Sequence, residues 1–301
     1  MLELRNPRIA IPVVLFAGLL WSFGPLVVRY MDNPQLAPWQ YIFGRGLTIF
    51  ILLNLYLFFE EGNNFYKNYY KIGLSGVIGG SGLGIAMITF IYSITNTSAA
   101  VTLLCLAAMP FFTAILAYIF LKEKISINVW VSIIIATVGI IIMALGNTEK
   151  NSLIGFLFGL TSSIGFSIFS VSLRWRKETP KFTTVAIAGL FCFVFASIVI
   201  LSTNQNFFST SYNGSMFSLH GILVCLGLIL YSIGSKAIPA AELTLLSLTE
   251  VIGGIFWVWL PLFGINEVPS TNTIVGGFFL FISLVYYSLI MRWNKRYIAL
   301  N

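Results

Sequence analysis

Charge is scarce in this sequence. Aspartate, glutamate, lysine and arginine make up 9% of its residues, against about a quarter in a soluble globular domain. Hydrophobic residues make up 58%, with a mean hydropathy of +0.92, a balance that excludes an ordinary soluble fold. Histidine occurs once. The three cysteines, Cys105, Cys192 and Cys225, stand in apolar stretches without a CxxC pair, so neither a disulfide framework nor a metal site is indicated. No HExxH, paired aspartates within an apolar run, nucleophile elbow or phosphate-cradling P-loop is present. The sequence therefore reads as a protein that is not an enzyme, uses no cofactor and carries no ATP-driven motor of its own.

What is abundant is uninterrupted apolar sequence. A helix crosses a hydrocarbon core of about 30 Å with about twenty residues at 1.5 Å each. Ten such runs are predicted, at residues 9–28, 37–59, 72–92, 97–121, 128–146, 152–173, 182–202, 217–235, 240–263 and 272–291. The fold class expected is an all-α integral membrane protein. The links between runs are short, the longest being the polar NQNFFSTSYNGS at 204–215, so any function lies within the bilayer. The first run is longer than a signal-peptide core and lacks a small-residue cleavage pattern, and it is expected to be retained.

The loops carry their basic residues unevenly. If alternate loops face opposite sides, fourteen of the 17 Lys and Arg residues fall on one side, including Lys67, Lys122, Lys124, Arg174, Lys177 and Lys236. The other side has only Arg29 and Lys150. By the positive-inside rule both termini face the cytoplasm. The same scatter accounts for the +7 net charge through contact with anionic lipid, and argues against nucleic acid as a partner. Short length and short loops fit a bacterial inner membrane protein, acting as monomer or homodimer.

An internal repeat is present. A shift of 141 places GLLWSFG (18–24) over GLTSSIG (159–165) with four identities in seven, and a shift of 142 places AAVTLLCL (99–106) over AELTLLSL (241–248) with five in eight. Two units of five helices follow, at 9–146 and 152–291. Five is odd, so the second unit enters the membrane from the opposite side, giving inverted repeats that can pack in two nearly equivalent ways.

The chain resembles the EamA-type members of the drug/metabolite transporter superfamily over essentially its whole length. The resemblance is carried by LLWSFGPLVVR, PWQYIFGRG, AAMPFFTAILAYIFLKEKIS and LSLTEVIGGIFWVWLPLFGINEVPS. The last two segments look like two copies of a helix ending in a Leu-Gly-Glu-like turn, here at Glu123 and Glu267, with Lys122 where glycine is usual and Val251 where many relatives have proline. The resemblance implies a ten-helix carrier of small metabolites with a central cavity between the halves. Its arginine in the second helix, here Arg45, is shared across relatives of many substrates, which implies a packing or tethering role.

The residues themselves support a site. Arg45 lies on the order of 12 Å inside the second run, where a charge must face protein or water, between Gly44 and Gly46 and on one face with Tyr41 and Thr48. Glu250 is the other intramembrane charge, on one face with Ser247, Gly254 and Trp257. Arg45 is expected either to tie its helix to a carbonyl or to meet an anionic group of the substrate, and Glu250 to hydrogen-bond structurally, to pair with Arg45 or to carry a coupling proton. Pro110 should break the fourth helix, with Ile252, Gly253 and Gly254 opposite it in the repeat. Gly76, Gly80 and Gly84, four residues apart, should permit close helix packing or bending. Trp21 and Ser22, with Ser162 and Ser163 at the matching place, are expected to line the cavity, and His220 to sit near the outer end of the eighth helix.

These readings converge on a secondary-active transporter of a small organic metabolite, anionic or zwitterionic, working by alternating access. The alternatives are an exporter of aromatic or amphipathic compounds or amino acids, and, from another class, an intramembrane enzyme or sensory module, which would need a soluble catalytic or signalling domain.

Overall fold

Backbone amides removed from water must find partners within their own segment, which makes long apolar runs helical. The computed structural model describes residues 7–33, 38–145, 153–176, 178–266, 268 and 270–298, and no strand occurs among them. Arg5, Lys150, Lys177 and Glu267 lie outside the described residues, as do the side chains of the basic residues after 290.

Among the described residues, ten long helical segments follow one another. The first is α1, broken at Phe23 into α1a (Pro7–Ser22) and α1b (Gly24–Tyr30). Next come α2 (Pro38–Glu61), α3 (Gly73–Asn96) and α4, which consists of α4a (Ala99–Leu106) and α4b (Met109–Leu116) with a π turn at Ala117–Leu121. Then come α5 (Ile127–Leu145), α6 (Leu153–Trp175), α7 (Lys181–Ser202) and α8 (Ser211–Gly234). Last are α9, split into α9a (Ala240–Leu246) and α9b (Thr249–Trp259), and α10 (Thr271–Ile298). Among the described residues, eight of these segments are long and apolar enough to cross a membrane.

Two boundaries depart from expectation. Residues 211–216, expected as loop, are the first turns of α8, because the Thr210 side chain accepts the Asn213 amide at 3.0 Å and caps the helix. The break in α9 falls at Ser247 and Leu248, not at Ile252 to Gly254, which lie inside continuous α9b. Gly254 is there for contact: a Cβ would meet Leu103 Cδ1 at 2.8 Å and Pro25 Cγ at 3.2 Å. In α4 the break is at Ala107 and Ala108, and Pro110 sits in the first turn of α4b, where its missing N–H leaves no bond unmade.

The helices pair in a pattern with its own symmetry. α2 packs on α7, α4 on α9 and α5 on α10, while α3 packs on α6 as α1 packs on α8, α3 on α7 as α2 on α8, and α1 on α9b as α4 on α6. Exchanging each helix for the one five places along maps this set onto itself. Glycine makes the tightest of these contacts. Along α3, a Cβ at Gly80 would lie 2.6 Å from Ile187 Cγ2 and 2.9 Å from the Thr184 carbonyl, and one at Gly84 would lie 2.6 Å from the Phe191 ring. Gly76 meets Thr184 on the same face. All three glycines turn toward α7, and α3 runs through them without a break.

Candidate functional site

A cavity lies where α1, α2, α3, α4, α6, α8 and α9 converge. It leaves about 70 Å³ for the centres of water-sized molecules, room for several waters or a small ligand. Its walls are largely apolar, with Leu83, Met87 and Phe90 from α3, Leu106 and Met109 beside the α4 break, Phe166 from α6, and Val224 and Leu228 from α8. Its polar groups are Arg45, Ser162, His220, Glu250 and the indole of Trp21.

Arg45 is 3% exposed. Its Nη2 donates to the Met87 carbonyl at 2.6 Å, which ties α2 to α3. Its Nε is sealed in without a partner, and its guanidinium carbon lies 5.8 Å from the Tyr41 ring centroid and 5.9 Å from that of Phe90. The helix carrying it is clamped on both flanks. A Cβ at Gly46 would meet Cys192 Cβ at 2.7 Å, and one at Gly44 would meet Phe217 Cβ at 2.9 Å.

Glu250, in the first turn of α9b, is 8% exposed and faces the same cavity. Its carboxyl has no hydrogen-bond partner among the described residues, and no ion pair joins it to Arg45. The two groups share the lining of one cavity. The broken helix explains its position, because the turn at Ser247 and Leu248 brings the start of α9b to mid-depth and aims its first residues inward.

The cavity collects only some of the residues singled out from sequence. Trp21, Arg45, Ser162 and Glu250 line it. Ser162 donates to the Ala86 carbonyl at 2.9 Å, and Trp21 Nε1 donates to Val224 O at 3.2 Å. Ser22 faces away from it, donating to Leu19 O and accepting from Trp257 Nε1 at 2.8 Å, so both residues serve the α1 to α9b contact where Gly253 lies against Ser22. Ser247 is fully buried and donates to Thr244 O. Ser163 bonds the Cys105 carbonyl. Pro110 shapes the wall from behind, leaving Met109 in it. Tyr41 stands one shell back and bonds His220 Nδ1.

His220 is the residue whose place the sequence misled. It is 2% exposed and lines the cavity, nine residues into α8 and so about 13 Å below its start. Polar Ser211, Tyr212 and Asn213 look like loop, and only the Thr210 cap, a threonine ahead of the run, signals that the helix begins before them.

Comparison with known proteins bears on this architecture. Residues 8–145 match the EamA-like transporter family. That match spans just under half of the chain. Two relatives, each described as an uncharacterized transporter, come from Helicobacter pylori strain J99 and from Clostridium kluyveri. The first is 24% identical over 82% of this chain and 84% of its own length. The second is 27% identical over 72% of this chain and 71% of its own. A crystal structure of another protein superposes with a TM-score of 0.76 at 15% identity, covering 96% of this chain and 100% of that one, a likeness of fold alone. With its several long apolar helices, this chain is a multi-pass integral membrane protein.

Proposed function

We propose that this protein is an EamA-type secondary-active transporter of a small organic metabolite, working by alternating access between two inverted five-helix repeats, 9–146 and 152–291. One observation carries the reading. The cavity wall contains Trp21 and Ser162, Leu83 and Val224, Met87 and Leu228, and Met109 and Glu250, each pair 141 residues apart, the offset of the sequence repeat. A pseudo-two-fold axis through the cavity accounts for this, and for the helix packing that survives exchange of the halves. Paired helix breaks in α4 and α9 mark the binding region of such carriers.

The substrate is a small anionic or zwitterionic compound, since Arg45 and the carboxyl of Glu250 face the cavity without neutralising one another in an ion pair. Arg45 holds α3 and meets the substrate's anionic group, and Glu250 is the proton-coupling site. The basic loops orient both termini to the cytoplasm of a bacterial inner membrane. The relatives' description as transporters agrees with this reading.

Alternating access is testable before the substrate is known. Met109→Cys, in a chain with its three native cysteines replaced, should react with a membrane-impermeant maleimide from either side of oriented vesicles. Conditions that speed labelling from one side should slow it from the other. Labelling from one side under all conditions would exclude the mechanism. A thermal-shift screen of amino acids, organic acids, nucleosides, sugars and amphipathic cations then looks for ligands that raise the apparent stability. A shift with cations or aromatic compounds that survives Arg45→Ala would favour an exporter of amphipathic compounds instead.

A further inference from the structure

We infer that His220 is a substrate-reading group, with its Nε2–H directed at the carboxylate of a zwitterionic ligand, and that Tyr41 and Gly24 put it in that state. The inference rests on the transport reading above and names the ligand class for the same cavity.

The argument begins with hydrogen-bond accounting around Tyr41. Its ring is fully buried and stacked on Phe217, with centroids 5.1 Å apart, and its hydroxyl bonds only His220 Nδ1 among the described residues. If Nδ1 carried the proton, the phenol hydrogen would be left without an acceptor in a dry interior, and buried polar hydrogens are very rarely left so. The satisfied arrangement has the phenol donating to Nδ1. In the neutral ring the proton then sits on Nε2.

Nε2 has no partner among the described residues, and it is not sealed in as the Nε of Arg45 is. Gly24 keeps it so. This residue opens α1b just after the break at Phe23, and a Cβ there would lie 2.7 Å from His220 Nε2. Any other residue at position 24 would crowd the nitrogen.

The cavity therefore has a donor side and an acceptor side. Arg45 on α2 and His220 on α8 provide donors, and Glu250 on α9b provides a carboxyl with no protein partner. Tyr41 bonds His220, and Arg45 and Glu250 share its cavity. The rest of the lining is largely apolar. A compact molecule with a carboxylate, an ammonium and a small apolar side chain matches all three features, with its carboxylate against Arg45 and Nε2–H and its ammonium against Glu250.

The test uses the purified full chain in detergent and three probes that differ only in charge: valine, isovalerate, which lacks the amine, and isobutylamine, which lacks the carboxylate. Titration calorimetry should show valine binding more tightly than either fragment. His220→Phe should weaken valine and isovalerate by about tenfold, as for one lost hydrogen bond to a charged group, and leave isobutylamine unchanged. His220→Gln, which keeps an amide donor, should retain most of the affinity, and Gly24→Ala should mimic His220→Phe with the histidine still present. Equal losses for all three probes would make His220 a packing residue and overturn the inference. Unaltered valine binding in His220→Phe, or no binding of any probe to the wild type, would overturn it as well. Those failures leave the transport reading standing, because labelling of Met109→Cys judges that separately.

Discussion

Glu123 and Arg174 meet at 2.6 Å, carboxylate oxygen to Nε, at one end of the helix bundle. The same carboxylate accepts the Ala240 amide at 3.2 Å, and Arg174 Nη1 donates to the carbonyls of Ser235 and Ile238. The end of α4, the end of α6 and the start of α9a are thus held in one knot. At the opposite end Tyr30 donates to Phe263 O and Tyr212 to Tyr30 O.

Under alternating access this knot must part when the cavity opens toward it. Glu123→Gln should therefore raise labelling of Met109→Cys from the side on which Glu123 lies and lower it from the other. The pair is partly exposed, so the stability lost should be small, about 1 kcal/mol or less, read as a modest fall in melting temperature. An unchanged labelling ratio would reduce the knot to a helix cap.

Arg45→Ala should be more costly. It removes a buried charged hydrogen bond to Met87 O, worth about 1.5–3 kcal/mol, and leaves the carboxyl of Glu250 without its nearby counter-charge. Glu250→Gln added to Arg45→Ala should restore part of that loss, because coupled sites are not additive. A double-mutant cycle in thermal unfolding measures it. In transport, Arg45→Lys should reduce uptake of carboxylated substrates more than of decarboxylated analogues, and equal reductions would leave Arg45 a tether only.

Glu250→Gln should also separate transport from the proton gradient. Uptake into proteoliposomes with an imposed pH difference should respond to that difference in the wild type and not in the variant, while exchange of labelled for unlabelled substrate continues. A variant that still responds would move the proton to another group.

Gly80→Ala tests the packing of α3 on α7. The new methyl would meet the Thr184 carbonyl at 2.9 Å, and backbone cannot step aside cheaply. Overpacking of this kind costs about 1–3 kcal/mol. Gly277→Ala in α10 has nothing within 4 Å and should be neutral or stabilising by up to about 1 kcal/mol through helix propensity. Melting temperatures of the two variants should move apart.

The helices were legible in the sequence because the bilayer leaves a long apolar run no other structure. Arg45 and Glu250 stood out because charge is expensive there. Pro110 announced a break in α4, and the true break in α9, beside Ser247, carries no proline or glycine to announce it. His220 was hidden by the polar residues that begin its helix, and Ser22, Ser247 and Trp257 sit on helix faces that point to a neighbour rather than to the cavity.

What the sequence determined by itself is the frame: the apolar helices and two charges that had to be buried. What only the tertiary structure decided is the chemistry inside that frame. Met109 and Glu250 both line the wall, and a step of one residue, about 100° around the helix, separates Trp21 in the cavity from Ser22 in the packing. Which residues meet depends on side chains brought together from distant runs, Tyr41 to His220 and Arg45 to Met87. A linear pattern read one helix at a time contains the periodicity of each face but not the angle at which the helices come together.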